Sequence, residues 1–164
     1  MATGRYLRLL VIFKGKKVQQ QWFLDGLDRF QDWLFVAQSS GWTSDTIAIE
    51  WLKEVIIPDT QTPTREKRLL IFDSHSSHQT DEFLYECLLS DIYLLFLPAY
   101  TSHVLQPLDT SGFSPLKSRY RREINHINTY SMPLESMPIA KAQFLQAYEK
   151  ARTATFTERN IMMG

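Results

Sequence analysis

An α/β fold, with helices laid against a parallel sheet, is what the sequence predicts, and three observations predict it. Leu69 to Phe72 and Ile92 to Leu97 are unbroken apolar runs of strand length, the pattern of strands buried on both faces by covering helices. Between them the chain from Thr80 reads as a helix, so this stretch is a strand-helix-strand unit whose strands run parallel and end on one edge. Upstream, Ile47, Trp51, Leu52, Val55 and Ile56 form a single apolar stripe at helical spacing.

Taken in order, Leu7 to Phe13 is a strand candidate, and Gly15 with Lys14, Lys16 and Lys17 makes a turn. Val18 to Phe23 then returns as a second strand, with Val18, Gln20 and Trp22 on one side, which predicts a hairpin. The lysines at its tip read as a solvated turn before they read as a nucleic-acid contact. Asp25 to Gly41 holds Leu27, Phe30 and Leu34 at near-helical spacing but has no clean boundary. Thr43 or Ser44 can cap the next helix, Asp45 suits its positive end, and Pro58 marks its stop. Asp59 to Lys67 is an exposed connection.

After the central strand, Thr80 is a helix cap with Asp81 and Glu82 in the first turn, and Phe83, Leu84, Cys87 and Leu88 form the buried face. A polar loop containing His103 follows the second strand. Thr110 to Asn128 is helix-like, with Pro115 either in a first turn after Ser114 or at a kink. Lys117, Arg119, Arg121 and Arg122 put a basic strip on that helix, either a solvated face or a phosphate-binding surface. A last helix, from about Ile139 to Thr153, reads as a terminal packing element.

The 164 residues suit one domain with a sizeable core, and the composition, 44% hydrophobic and 22% charged, is that of an ordinary soluble protein. Eighteen basic residues balance eighteen acidic ones, so attraction to nucleic acid has to come from a local patch. The lone Cys87 excludes an internal disulfide and fits a reducing compartment. No stretch approaches the roughly 20 apolar residues of a membrane span, and the N-terminus does not look like a cleaved signal.

Two acids carry the chemistry. Asp73 directly follows the first apolar run, and Asp109 lies just past the carboxyl end of the second, with 35 residues between them. Ligands collect at that edge of open α/β sheets. Two carboxylates there can share divalent cations of the magnesium type, and paired ions serve in-line phosphoryl displacement, chemistry that normally needs a third carboxylate. Asp73 with His75, His78 and His103 also offers a mixed nitrogen and oxygen set of the kind zinc uses in hydrolytic sites.

The run Asp73-Ser74-His75-Ser76-Ser77-His78, then Ile92 to Pro98, Ser102-His103-Val104-Leu105-Gln106-Pro107-Leu108-Asp109 and Phe113-Ser114-Pro115-Leu116-Lys117 resembles the DDE-type endonuclease domain of pogo/Fot-like transposases. These are mariner-related, and centromere protein B is a domesticated relative. The likeness extends upstream through Val11 to Lys16, Gln19 to Phe23 and Gly41-Trp42-Thr43, covering roughly residues 7 to 125. It implies a ribonuclease-H-like fold with a mixed sheet flanked by helices, over about residues 1–130, with 131–164 as a helical extension. It implies magnesium- or manganese-dependent cleavage of DNA and joining of the freed 3′ hydroxyl, in a nuclear protein that can form homo-oligomers and needs no membrane. Asp73 would be the second catalytic acid and metal ligand and Asp109 the third, with His75, His78 and His103 near the DNA.

The family's first acid lies on a strand that precedes Val11-Ile12-Phe13, so this chain is expected to be N-terminally truncated, to lack the first one or two strands, to bind metal weakly and not to cleave DNA. Ser74 and Ser76 stand where the family usually has glycines, and Ala99 where it often has a second proline. The competing expectations are a non-catalytic DNA-binding or assembly module and, further off, a zinc hydrolase.

Overall fold

The computed structural model describes residues 5–24, 26–64, 66–72, 80–98, 112–130 and 137–162. The chain divides into two compact units. One comprises Leu7–Val18 and Asp32–Gln106, the other Met1–Tyr6, Gln19–Gln31 and Pro107–Gly164.

The first unit is α/β. Strand β1 (Leu9–Lys14) pairs in parallel with β2 (Trp33–Gln38), and β3 (Arg68–Phe72) pairs in parallel with β4 (Ile92–Phe96). The strand-helix-strand unit is as expected, with α3 (Asp81–Leu89) as the crossover. The expected hairpin is not there. Gln20–Trp22 is a single 3-10 turn, and the partner of β1 is the segment that near-helical spacing had left unassigned. Trp33-Leu34-Phe35-Val36-Ala37 is itself a continuous apolar run rich in aromatic and branched side chains, which fits a pleated strand better than a helix. Among the described strands both pairings are parallel, so the antiparallel component of a mixed sheet is not seen there.

Ser44 caps the next helix, its Oγ accepting from Ile47 N at 3.4 Å, ahead of α1 (Asp45–Trp51). The helix does not stop before Pro58. It widens into a π-helical turn over Leu52–Ile56 and continues as α2 (Ile57–Thr60), with Pro58 in the first turn of that last piece. Proline cannot donate to the carbonyl four residues back. That carbonyl, of Glu54, accepts instead from Arg8 Nη2, and Arg8 Nε also donates to Asp59 Oδ1 at 3.0 Å. An outside arginine thus supplies the donor that the proline lacks.

Ala48, Leu52, Ile56, Phe72, Phe83, Cys87 and Ile92 form the core of this unit. Leu70, Leu94 and Phe96 pack against it from the inner face of the β3/β4 sheet. The expectation that β3 is buried on both faces fails: Leu69 and Ile71 are exposed, as are their partners Tyr93 and Leu95. Among the described residues of this unit, helices cover one face of this sheet and not the other. On α3, Phe83 and Cys87 are buried as expected, but Leu84 and Leu88 are exposed.

The second unit is helical. Helix α4 (Ser114–Tyr130) packs on α5 (Met137–Thr155), and a short α6 (Glu158–Met162) follows. Residues 112–113 are π-helical and run into α4, so Pro115, second in the α-helical part, is preceded by helical residues. Tyr120, Phe144 and Tyr148 interlock between the two long helices, while Ala142, Ala147 and Ala151 are buried on α5. Trp22, 3% exposed, lies beneath Lys141 Nζ at 3.7 Å from its ring centre, and Arg29 Nε pairs with Glu149 at 2.6 Å. Burial of Trp22 against α5 is what displaces the expected second strand. No described helix is long and apolar enough to cross a membrane.

Candidate functional site

The β3/β4 sheet sets out the edge on which the sequence put its acids. Arg68 fixes the amino-terminal end of β3: its N–H donates to Asp91 O at 3.0 Å, and Nη1 donates to Ile57 O at 2.9 Å and Thr60 Oγ1 at 2.8 Å. A third guanidinium contact goes to Ser90 O. At the other end Phe72 meets Phe83 edge-on with ring centres 5.7 Å apart, and stacks on Phe96 at 6.2 Å. Phe72 stands opposite Phe96 in the ladder, and Leu97 N donates to Phe72 O at 2.8 Å. The two strands therefore reach their carboxyl ends in step, held by arginine at one end and aromatic packing at the other. Asp73 is the next residue in the sequence after Phe72. Asp73 and Asp109 lie outside the described residues, as do His75, His78 and His103.

Among the described residues no group of three or more His, Cys, Asp or Glu side chains could hold a metal ion. The strand ends explain this. Lys14 ends β1 and Gln38 ends β2, while the residues after β4 are Leu97 and Pro98. Of the four described strands only β3 is followed at once by a carboxylate in the sequence.

The basic strip is on α4. Lys117, Arg121 and Arg122 are exposed and Arg119 is half-buried, with Arg122 Nη2 3.9 Å from Glu123 Oε1. Lys117 and Arg121 are one helical turn apart and so share a face, opposite in character to the buried Leu116. Cys87 faces the core, where burial, reinforced by the nearby Glu86, pushes its thiol up to about 11. A thiol so placed stays protonated and is no nucleophile at neutral pH. In the sequence Trp42 stands out only through the Gly41-Trp42-Thr43 likeness and as a neighbour of the helix cap, whereas the residue is 79% exposed. Nothing in the periodicity reveals that, because the residue lies in a turn between a strand and a helix.

The family model for DDE superfamily endonucleases matches residues 1–164. Among curated proteins, the chain is similar to one from Cochliobolus lunatus described as MFS-type transporter clz9, at 36% identity over 165 residues. That alignment takes in 98% of this chain and 17% of the relative, so the chain spans about a sixth of the length of the curated relative it matches. No solved structure matches.

Proposed function

Because the chain belongs to the DDE superfamily endonucleases, we propose that it carries part of the metal-binding centre of a transposase-type nuclease, with Asp73 and Asp109 as the acids. The observation that supports this most is the in-step parallel ending of β3 and β4, with Asp73 the next residue in the chain. Carboxylate oxygens are hard donors of the kind magnesium and manganese take. Such ions, when bound, supply positive charge to the attacking and leaving oxygens of phosphoryl displacement. The chain's own part would be to supply Asp73, which follows β3 in the sequence, and Asp109, from the stretch between β4 and α4, and to offer phosphate contacts. Lys117, Arg119, Arg121 and Arg122 would grip the backbone of the DNA, and His75, His78 and His103 would lie along its path.

On this reading the fold is ribonuclease-H-like over residues 1–130 with a helical extension over 131–164, the partner is DNA, the compartment is the nucleus and the assembly is a homo-oligomer. The matched stretch is about a sixth of a protein named as a transporter, and we assign it the nuclease ancestry rather than that name. With Lys14 and Gln38 at the ends of β1 and β2, the first unit offers no third acid on a described strand. The 164-residue chain alone is therefore expected not to cut DNA. Incubation with supercoiled plasmid and manganese tests this: intact plasmid is expected, and nicking that Asp73→Ala abolishes would overturn the inactivity.

The exposed face of α4 favours a second reading, in which the chain binds DNA without cleaving it. Gel shifts at two salt concentrations check it. Binding that weakens steeply with salt is expected of phosphate contacts, and no shift at low salt would remove this reading.

A further inference from the structure

Two turns meet at the carboxyl edge of the β1/β2 sheet. The first is Lys14-Gly15-Lys16-Lys17, leaving β1, and the second is Ser39-Ser40-Gly41-Trp42, leaving β2. One carbonyl ties them together: Gln38 O accepts from Gly15 N and from Gly41 N, each at 3.0 Å. Gly41 has φ +77°, and a Cβ placed on it would sit 3.0 Å from Lys14 Cβ, so only glycine lets the second turn lie this close to the first. Ser40 Oγ accepts from Trp42 N at 3.1 Å and holds the turn. The result is a large flat ring, 79% exposed, carried on a short braced turn next to three exposed lysines. Asp45 is the acidic residue nearest in sequence, and it lies in the first turn of α1.

We propose that this edge is a binding site for unpaired DNA, in which Trp42 stacks on a base and Lys14, Lys16 and Lys17 contact the flanking phosphates. A tryptophan this exposed packs little of its surface against the described residues, and a base face covers it at little cost in selectivity, because every base has a π-face. The lysines supply the matching charge for a polyanion, in a chain with no net charge to attract one otherwise. Stacking needs a base out of its duplex, so the ligand is a single strand or a locally opened duplex. The proposal rests on the DNA-acting reading of the chain and adds to it residues other than Asp73, Asp109 and the α4 strip.

The test is titration of the 164-residue chain with short oligo(dT), followed by tryptophan fluorescence and by anisotropy of the labelled strand. Of the four tryptophans Trp42 is the most exposed and Trp22 is buried, so quenching reports chiefly on this edge. Quenching is expected in the wild type. Trp42→Ala should weaken binding about 5- to 150-fold, and Trp42→Phe, which keeps a ring, should retain most of the affinity. Replacing Lys16 and Lys17 together by alanine should flatten the salt slope by about 1.4. Wild-type affinity in Trp42→Ala, with quenching unchanged, would overturn the site and leave the family reading standing. Failure of the wild type to bind either oligo(dT) or duplex would overturn the site and the DNA-acting reading together, while membership of the family stands on its own match.

Discussion

Cys87 shows how a single buried group sets a pH limit on the fold. Burial raises its thiol from near 9 to about 11, and burial likewise raises the hydroxyls of Tyr120 and Tyr148. The folded state thus holds these protons more tightly than the unfolded chain does. The contribution of Cys87 to stability is complete below pH about 9 and is lost as pH rises toward 11, and the two tyrosines act in the same direction. Denaturant unfolding should therefore show the midpoint falling across that window, and Cys87→Ala should fall less steeply because one of the three groups is gone. Equal slopes for the two proteins would show that the thiol is not held in the core. At pH 7 the same variant should be less stable by roughly 1 kcal/mol, the ordinary cost of a small core truncation.

Local chemistry decides where the elements begin and end. Ser44 caps the long helix through Ile47 N at 3.4 Å, a lengthy bond, so Ser44→Ala should cost about 0.5–1 kcal/mol, the lower part of the range for such caps. Chemical denaturation checks this, and a change below the error of the fit would show that solvent serves the helix end equally well. Caps of this kind were legible in the sequence: Ser44 and Thr80 both do what their position suggested. The segments that misled are those whose neighbours come from far along the chain. Val18, Gln20 and Trp22 alternate like a strand, yet Trp22 is committed to α5 through Lys141, a contact 119 residues distant that no local pattern encodes. Helical spacing of Leu27, Phe30 and Leu34 hid the apolar run of β2, because Phe30 is buried in a 3-10 turn of one unit and β2 belongs to the other. Likewise Pro58 was read as a stop because the compensating donor, Arg8, lies 46 residues away from Glu54. The candidate acids were legible only as residue types in a familiar order, and they lie outside the described residues.

At the scale of the whole molecule, one apolar sheet face stands exposed among the described residues. Leu69, Ile71, Tyr93 and Leu95 line the outer side of the β3/β4 sheet and are 63%, 38%, 53% and 46% exposed. An unbroken apolar run signals two-sided burial only if both sides are packed, and here helices supply one. Such a surface drives association. Light scattering at matched concentrations should show wild-type chain self-associating and the double variant Leu69→Lys, Leu95→Lys doing so less, with the inner-face core untouched. The central proposal about function is that Asp73 and Asp109 together make the metal site of this DDE-family chain. Manganese binding followed by electron paramagnetic resonance tests it most directly. The account predicts weak binding by the wild type that falls about 10-fold or more in Asp73→Asn and in Asp109→Asn, and stays unchanged in Asp81→Asn, a control at the start of α3. Binding unaffected by either of the first two substitutions would contradict it.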